Sequence, residues 1–288
     1  MNMGTGIGRK VAAVTAKTLL SIVLLYAGVI ACSMLLQLLP EWEGKGNFAT
    51  PVGLGLSAWL MVVWFERKRE LSIGWRDARG AGQGFVGVVS GAMIIGLGAL
   101  VMLLTNTIDV RLNDWTWQAI AVQTLLFLAV AMGEEWLFRG YLFGLYQQAF
   151  SARTAVWVSS AMFTAIHLIN PNAMSRPMEH IAIEMVNIML MAILMARSRL
   201  AAGSLWMPIG LHVALNVLQS TVFGFVNGGK EVDSLFRIEY DSLNVWNGAS
   251  HGLESSLIFT PVLLLAVLVT GWVSKRRRAV GEELIQHA

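Results

Sequence analysis

Apolar residues fill this chain in long blocks, separated by short clusters rich in Arg, Lys, Gly, Asn and Pro. A helix rising about 1.5 Å per residue needs about 20 apolar residues to cross a bilayer. The blocks at 14–39, 49–65, 82–105, 118–149, 154–170, 178–196, 204–226 and 256–273 are of that order. They predict an all-α membrane protein, a polytopic bundle of about eight transmembrane helices. No linker rich in Pro, Ser or charge divides the chain, and no internal repeat is evident.

Composition agrees on the solvent. Of 288 residues, 56% are hydrophobic and 14% charged, where a soluble domain carries about a quarter charged residues. Cytoplasmic loops of membrane proteins collect Lys and Arg, which tests the span map. With the N-terminus inside, the inner segments hold Arg9, Lys10, Lys17, Arg67, Lys68, Arg69, Arg76, Arg79, Arg153, Arg197, Arg199 and Lys275 to Arg278. The outer segments hold Lys45, Arg111, Arg176, Lys230 and Arg237. This asymmetry predicts a multi-pass protein of a bacterial-type inner membrane with both termini cytoplasmic and 227–255 outside. The net charge of +3 is accounted for by inner loops and a tail facing anionic lipid, so nucleic acid is not an indicated partner. One cysteine, Cys32, excludes an internal disulfide framework and a Cys-rich metal site. Val29 to Cys32 imitates a lipoprotein cleavage box, but the apolar stretch runs on through Leu39, as in an uncleaved span.

Three polar groups interrupt the apolar pattern. Gly133 to Gly140 places Glu134, Glu135 and Arg139 inside the fourth span, where an unpaired charge costs at least about 2.5–3.5 kcal/mol. Glu135 and Arg139 are four apart and share a helix face, whereas Glu134 points about 100° away. Glu135 is therefore read as structural and Glu134 as free for chemistry. His167 ends the run from Phe163 in the next span, with Asn170 and Pro171 marking its outer end, and His212 and Asn216 share a face in the seventh. Counted from the expected boundaries, Glu134 lies about 15 Å from the outer face and His212 about 12 Å from the inner one, which match, while His167, about 20 Å from Arg153, comes out nearer the outer side and needs a tilt or late helix start to meet them.

Other polar positions have plainer readings. Glu184 and Asn187 are taken as support for the site or as interhelical hydrogen-bonding groups. His180, His251 and His287 lie at span ends or in the tail, where side chains are usually solvated. The methionines at 185, 189, 191 and 195 read as packing, and Trp42, Trp115, Trp117, Trp246 and Trp272 as an interfacial belt.

The succession Glu-Glu-x-x-x-Arg, Phe-x-x-x-His and His-x-x-x-Asn on consecutive spans resembles the CAAX-protease and bacteriocin-processing family, in its bacterial style. Phe138 to Leu142, His167 to Pro171, Asn187, Gly203 to His212, Trp246 to Gly248 and Gly252 to Glu254 carry the likeness further, over roughly 130–260. The resemblance implies an intramembrane endopeptidase acting on a membrane-associated protein or peptide at the bilayer. It divides the chain into three N-terminal spans at 1–115, a catalytic membrane domain at 116–275 and a cytoplasmic tail at 276–288. Mapped onto the motifs, Glu134 is the general base, His167 its partner on the water, and His212 with Asn216 the pair that polarises the scissile carbonyl. Glu135 and Arg139 stand behind them. Hydrolysis needs a base to deprotonate water and donors for the oxyanion, and these residue types supply both. A carboxylate with two histidines also suits Zn²⁺ with an open water position. Glu134, His167 and His212 are thus the candidate metal ligands, although the His-Glu-x-x-His signature is absent. The alternatives are a proton-coupled transporter, since membrane carboxylates and histidines also relay protons, and a non-catalytic scaffold such as an immunity or maturation partner. The paired broken helices common in transporters are missing, and no catalytic position has decayed.

Overall fold

A computed structural model describes residues 3–40, 45–66, 73–75, 77–169, 177–227 and 231–286. Of the sequence features above, Arg67 to Arg69, Arg76, Asn170, Pro171, Arg176, Lys230, Trp42 and His287 lie outside the described residues. The α-helices are α1 (Met3–Gln37), α2 (Ala49–Met61), α3 (Gly80–Leu104), α4 (Trp117–Glu135), α5 (Phe143–Ala149), α6 (Ala152–His167), α7 (Met178–Ala202), α8 (Trp206–Asn216) and α9 (Phe259–Gln286). A π-helical segment, Trp136–Leu142, joins α4 to α5 without a break, so eight helices are present among the described residues. Two further π segments, Val62–Glu66 and Val217–Val222, extend α2 and α8.

Local chemistry sets these boundaries. Thr116 and Ser151 cap α4 and α6 by accepting from the backbone N–H groups of Ala119 and Thr154, satisfying donors that a helix start leaves unpaired. Gly203 ends α7 in the left-handed conformation, which a glycine adopts without steric cost.

Five of the helices are long and apolar enough to cross a membrane: Ile7–Gln37, Gly46–Glu66, Gly80–Leu104, Trp117–Ala149 and Met178–Ala202. The chain is therefore multi-pass. α6 has 16 residues, α9 is apolar only over Phe259–Val273, and α8 carries polar residues in the π segment that prolongs it. These three fall below the length and hydropathy that crossing by composition alone demands. α1 exposes Leu19, Val23, Ile30, Met34 and Leu35, an apolar surface of the kind that lipid covers. α1 begins at Met3 rather than near residue 14, because the helix continues through the basic head that hydropathy alone reads as a boundary.

The expectation of purely helical structure misses a small sheet. β1 (Ile108–Leu112) and β2 (Phe236–Tyr240) pair antiparallel, Val110 opposite Ile238, and Glu239 takes ion pairs from Arg111 at 2.7 Å and Arg237 at 3.0 Å. The sheet links the loop after α3 to the segment before α9. Nearby, Asn247 Nδ2 donates to the Thr107 carbonyl at 3.0 Å.

α7 is the most enclosed of the five long helices, and α3 and α8 form the most extensive helix pair. Their approach is backbone against backbone. A Cβ on Gly87 falls 2.2 Å from the Met207 carbonyl oxygen, and one on Gly210 falls 2.1 Å from that of Gly84. Small residues let membrane helices meet at this distance. Gly210→Ala is expected to destabilise the protein by about 1–3 kcal/mol or more through overpacking. Gly82→Ala, whose Cβ meets nothing within 4 Å, serves as the control. Thermal unfolding of both variants in detergent tests this; equal midpoints are incompatible with the close seam.

Candidate active site

The site is assembled from the ends of helical segments. Glu134 and Glu135 occupy the last turn of α4, and Arg139 lies in the π segment that follows. Phe163 and His167 come from the end of α6, and His212 and Asn216 from α8, immediately ahead of its own π segment. π turns widen a helix by one residue and often mark functional sites.

Arg139 is wholly buried. Its Nη1 donates to Glu135 Oε1 at 2.9 Å, its Nη2 to the Ala192 carbonyl of α7 at 3.2 Å, and its guanidinium lies over the Phe163 ring with Cζ 4.2 Å from the centroid. Glu135 Oε1 also contacts His212 Nδ1 at 2.9 Å. One carboxylate therefore neutralises the arginine and orients the histidine, a link across helices that spacing along the chain does not disclose. With Nδ1 donating to Glu135, the opposite ring nitrogen, Nε2, faces Glu134 Oε2 at 3.6 Å, beyond direct hydrogen-bond range.

His167 Nδ1 lies 2.8 Å from the Phe163 carbonyl. A carbonyl only accepts, so Nδ1 holds the proton and Nε2 of the neutral ring carries a free lone pair. The Phe163 ring lies tilted against His167 at 4.7 Å and edge-on to His212 at 6.1 Å. The Phe-x-x-x-His spacing thus acquires a physical meaning: one residue supplies the carbonyl that sets a histidine's tautomer and the ring that shields an arginine. Asn227 Nδ2 donates to Asn216 Oδ1 at 3.3 Å, which leaves the Asn216 amide N–H groups to face outward from that contact.

Glu134, His167, His212 and Asn216 all line one cavity of about 180 Å³, together with Asn227, Glu184 and Glu254. Met191 and Met195 also line it, so the methionine run contributes more than interior packing. A second cavity of about 370 Å³, walled by Leu25, Val29, Leu54 and Phe138, reaches Glu134 and His167 from the side of α1 and α2. Sequence reading placed no weight on Asn227 and treated Glu184 as support. Glu254 was legible only as part of a glycine-rich stretch. Asn187 is a clamp: it donates to the Glu254 and Ser256 carbonyls at 2.8 and 2.9 Å and accepts from Thr260 at 2.8 Å. His180 corrects an expectation, being buried rather than solvated, because the segment before α9 folds over it and sets His251 against its ring at 4.8 Å.

Residues 111–218 match the family model described as type II CAAX prenyl endopeptidase Rce1-like. Over that stretch the chain is similar to that family. The similarity points to a membrane protease of the CAAX kind. No curated protein matches the chain. The matched stretch contains every motif residue from Glu134 to Asn216 and stops short of Glu254. Among the described residues no group of three or more His, Cys, Asp or Glu side chains is arranged to hold a metal ion. Glu135 and the Phe163 carbonyl engage the Nδ1 atoms of His212 and His167, which leaves each Nε2 outside those contacts, as in histidines that ligate a metal through Nε2.

Removing the charge of Glu135 strands Arg139 in the interior of the protein. Glu135→Gln is expected to cost about 3–5 kcal/mol, the usual penalty for breaking a buried pair from one side. Lower accumulation in membranes and a lower unfolding midpoint are the readouts; wild-type stability in this variant rules out a structural role for the pair.

Proposed function

We propose that the protein is an intramembrane endopeptidase that hydrolyses a peptide bond in a membrane-associated protein or peptide, using a glutamate-activated water. The observation that carries this reading is the convergence of Glu134, His167, His212 and Asn216 on one cavity in a chain similar to the CAAX endopeptidase family. Glu134 takes a proton from water as the water attacks the carbonyl carbon. The Nε2 lone pair of His167 accepts the water's other hydrogen and aims its oxygen. Oxyanion stabilisation falls to the Asn216 amide and to His212, which presents an Nε2 proton in its imidazolium form while Glu134 and Glu135 together balance the charges of Arg139 and the ring. Arg139 holds Glu135 in place, and Asn227 holds the Asn216 amide.

The same reading places eight spans in a cytoplasmic membrane with both termini inside, supported by the distribution of Lys and Arg. In a Cys32→Ala background, an impermeant thiol reagent applied to intact cells is expected to label Asp233→Cys and to spare Arg9→Cys; the reverse pattern overturns the orientation.

Catalysis has its own signature. Glu134→Gln keeps size and hydrogen bonding but removes the base, so cleavage of a peptide selected by the wild type from a mixed-peptide digest should fall about 10²–10⁴-fold. Asn216→Ala should lower turnover about 10²–10³-fold with substrate binding largely kept. Equal cleavage by wild type and Glu134→Gln removes the protease mechanism, whereas a transporter or scaffold shows no cleavage to lose.

A further inference from the structure

The catalytic cavity contains two carboxyls that the chemistry above leaves idle. Glu184 reaches it from α7 and Glu254 from the short turn Leu253–Ser255 ahead of α9. That turn is tightly held. Asn187 grips the carbonyls of Glu254 and Ser256, Ser255 Oγ donates to Glu184 Oε2 at 2.9 Å, and Gly252, at φ 91°, packs so closely that a Cβ there falls 1.9 Å from the Val226 carbonyl oxygen. Gln219 Nε2 donates to Glu254 Oε1 at 2.9 Å, and the second carboxyl oxygen of Glu254 meets no donor among the described residues. A carboxyl with one anchored oxygen and one open oxygen on a reaction cavity has the geometry of a group that exchanges protons.

Peptide hydrolysis needs such a group. An amine departs readily only if its nitrogen gains a proton as the C–N bond breaks. Two carboxyls on one small buried cavity oppose each other's charge, so a proton held on Glu254 relieves the crowding. Burial pushes the Glu254 carboxyl above the usual carboxylate range, and the neighbouring Glu184 charge pushes it the same way, against the Gln219 hydrogen bond and the two histidines. Sites that separate acid from base in this way keep both roles available at one pH.

We propose that Glu254 is the general acid of the cavity, delivering its proton to the leaving amide nitrogen. The proposal rests on the reading of Glu134 as base. Glu134 takes one proton from water while the water oxygen bonds to the carbonyl carbon, and the carbonyl electron pair moves onto the oxygen held by His212 and Asn216. That pair returns as the C–N bond breaks; the bond's electrons leave with nitrogen, which takes the proton from Glu254. A carboxylic acid and an amine result. The proton on Glu134 then passes to Glu254 through water, restoring both groups.

The test compares two probes built on one sequence: the selected peptide, and an ester in which nitrophenolate replaces the leaving amine and departs without a proton. Glu254→Gln keeps an oxygen for Gln219 but has no acidic proton, so it should lower the amide kcat about 10²–10⁴-fold and leave the ester within roughly threefold of wild type. Glu254→Asp should recover part of the amide-to-ester ratio, a quantity independent of how much of a variant folds. Equal loss on both probes, or no loss on the amide, overturns the role of Glu254. Unchanged amide cleavage in Glu134→Gln instead removes the base on which it rests, and absence of wild-type cleavage removes the hydrolase as a whole; each is distinguishable from failure of the acid alone.

Discussion

A guanidinium that never reaches water must be met inside the protein, and the arrangement around Arg139 follows from that requirement. The carboxylate of Glu135 compensates the charge, the Ala192 carbonyl takes a second N–H, and the Phe163 ring covers the flat face. These partners come from α4, α7 and α6, and Glu135 extends the set to α8 through His212. Four helices are thereby brought into register about one cation. Lateral packing in a membrane lacks the hydrophobic drive that assembles soluble bundles, so a buried charge with demanding geometry specifies which face of each helix turns inward. Its energetic contribution to stability is small or negative relative to an apolar core, and its value lies in specification.

The π segments serve the same arrangement locally. Each of the two at the site begins directly after a pair of its residues, Glu134 and Glu135 in α4, and His212 and Asn216 in α8. An extra residue in a turn changes the direction of everything beyond it. α4 can thus send Glu134 toward the cavity and Arg139 into the interior, and α8 can continue to Gln219, which meets the turn ahead of α9.

Helix positions were largely legible because hydropathy over twenty residues averages away local detail; the blocks at 118–149 and 82–105 match the helices to within a residue or two at each end. The five-residue strands were not, since β1 and β2 are too short for a period to stand out and each exists only because the other pairs with it. At the site, Glu135 and Arg139 were readable because both lie on one helix, where spacing fixes neighbours. The contact of Glu135 with His212, 77 residues away in sequence, was not, nor were Asn227, Glu184 and Glu254 as lining groups. Glu254 is placed by a turn between β2 and α9 that folds back into the bundle, and no periodicity encodes that. His180 was misread for a related reason: position at a span end speaks of solvent only when no loop covers it.

The seam between α3 and α8 has a mechanical consequence. Where glycines bring backbone onto backbone, no side chain is left to change rotamer, and sliding one helix past the other forces carbonyl oxygens into Cα atoms. His212 and Asn216 are therefore mounted on a two-helix beam, and the spread of their positions at body temperature is that of the beam. Any yielding that opens the cavity beside Glu134 must be taken up by the remaining helices, while these two side chains keep station.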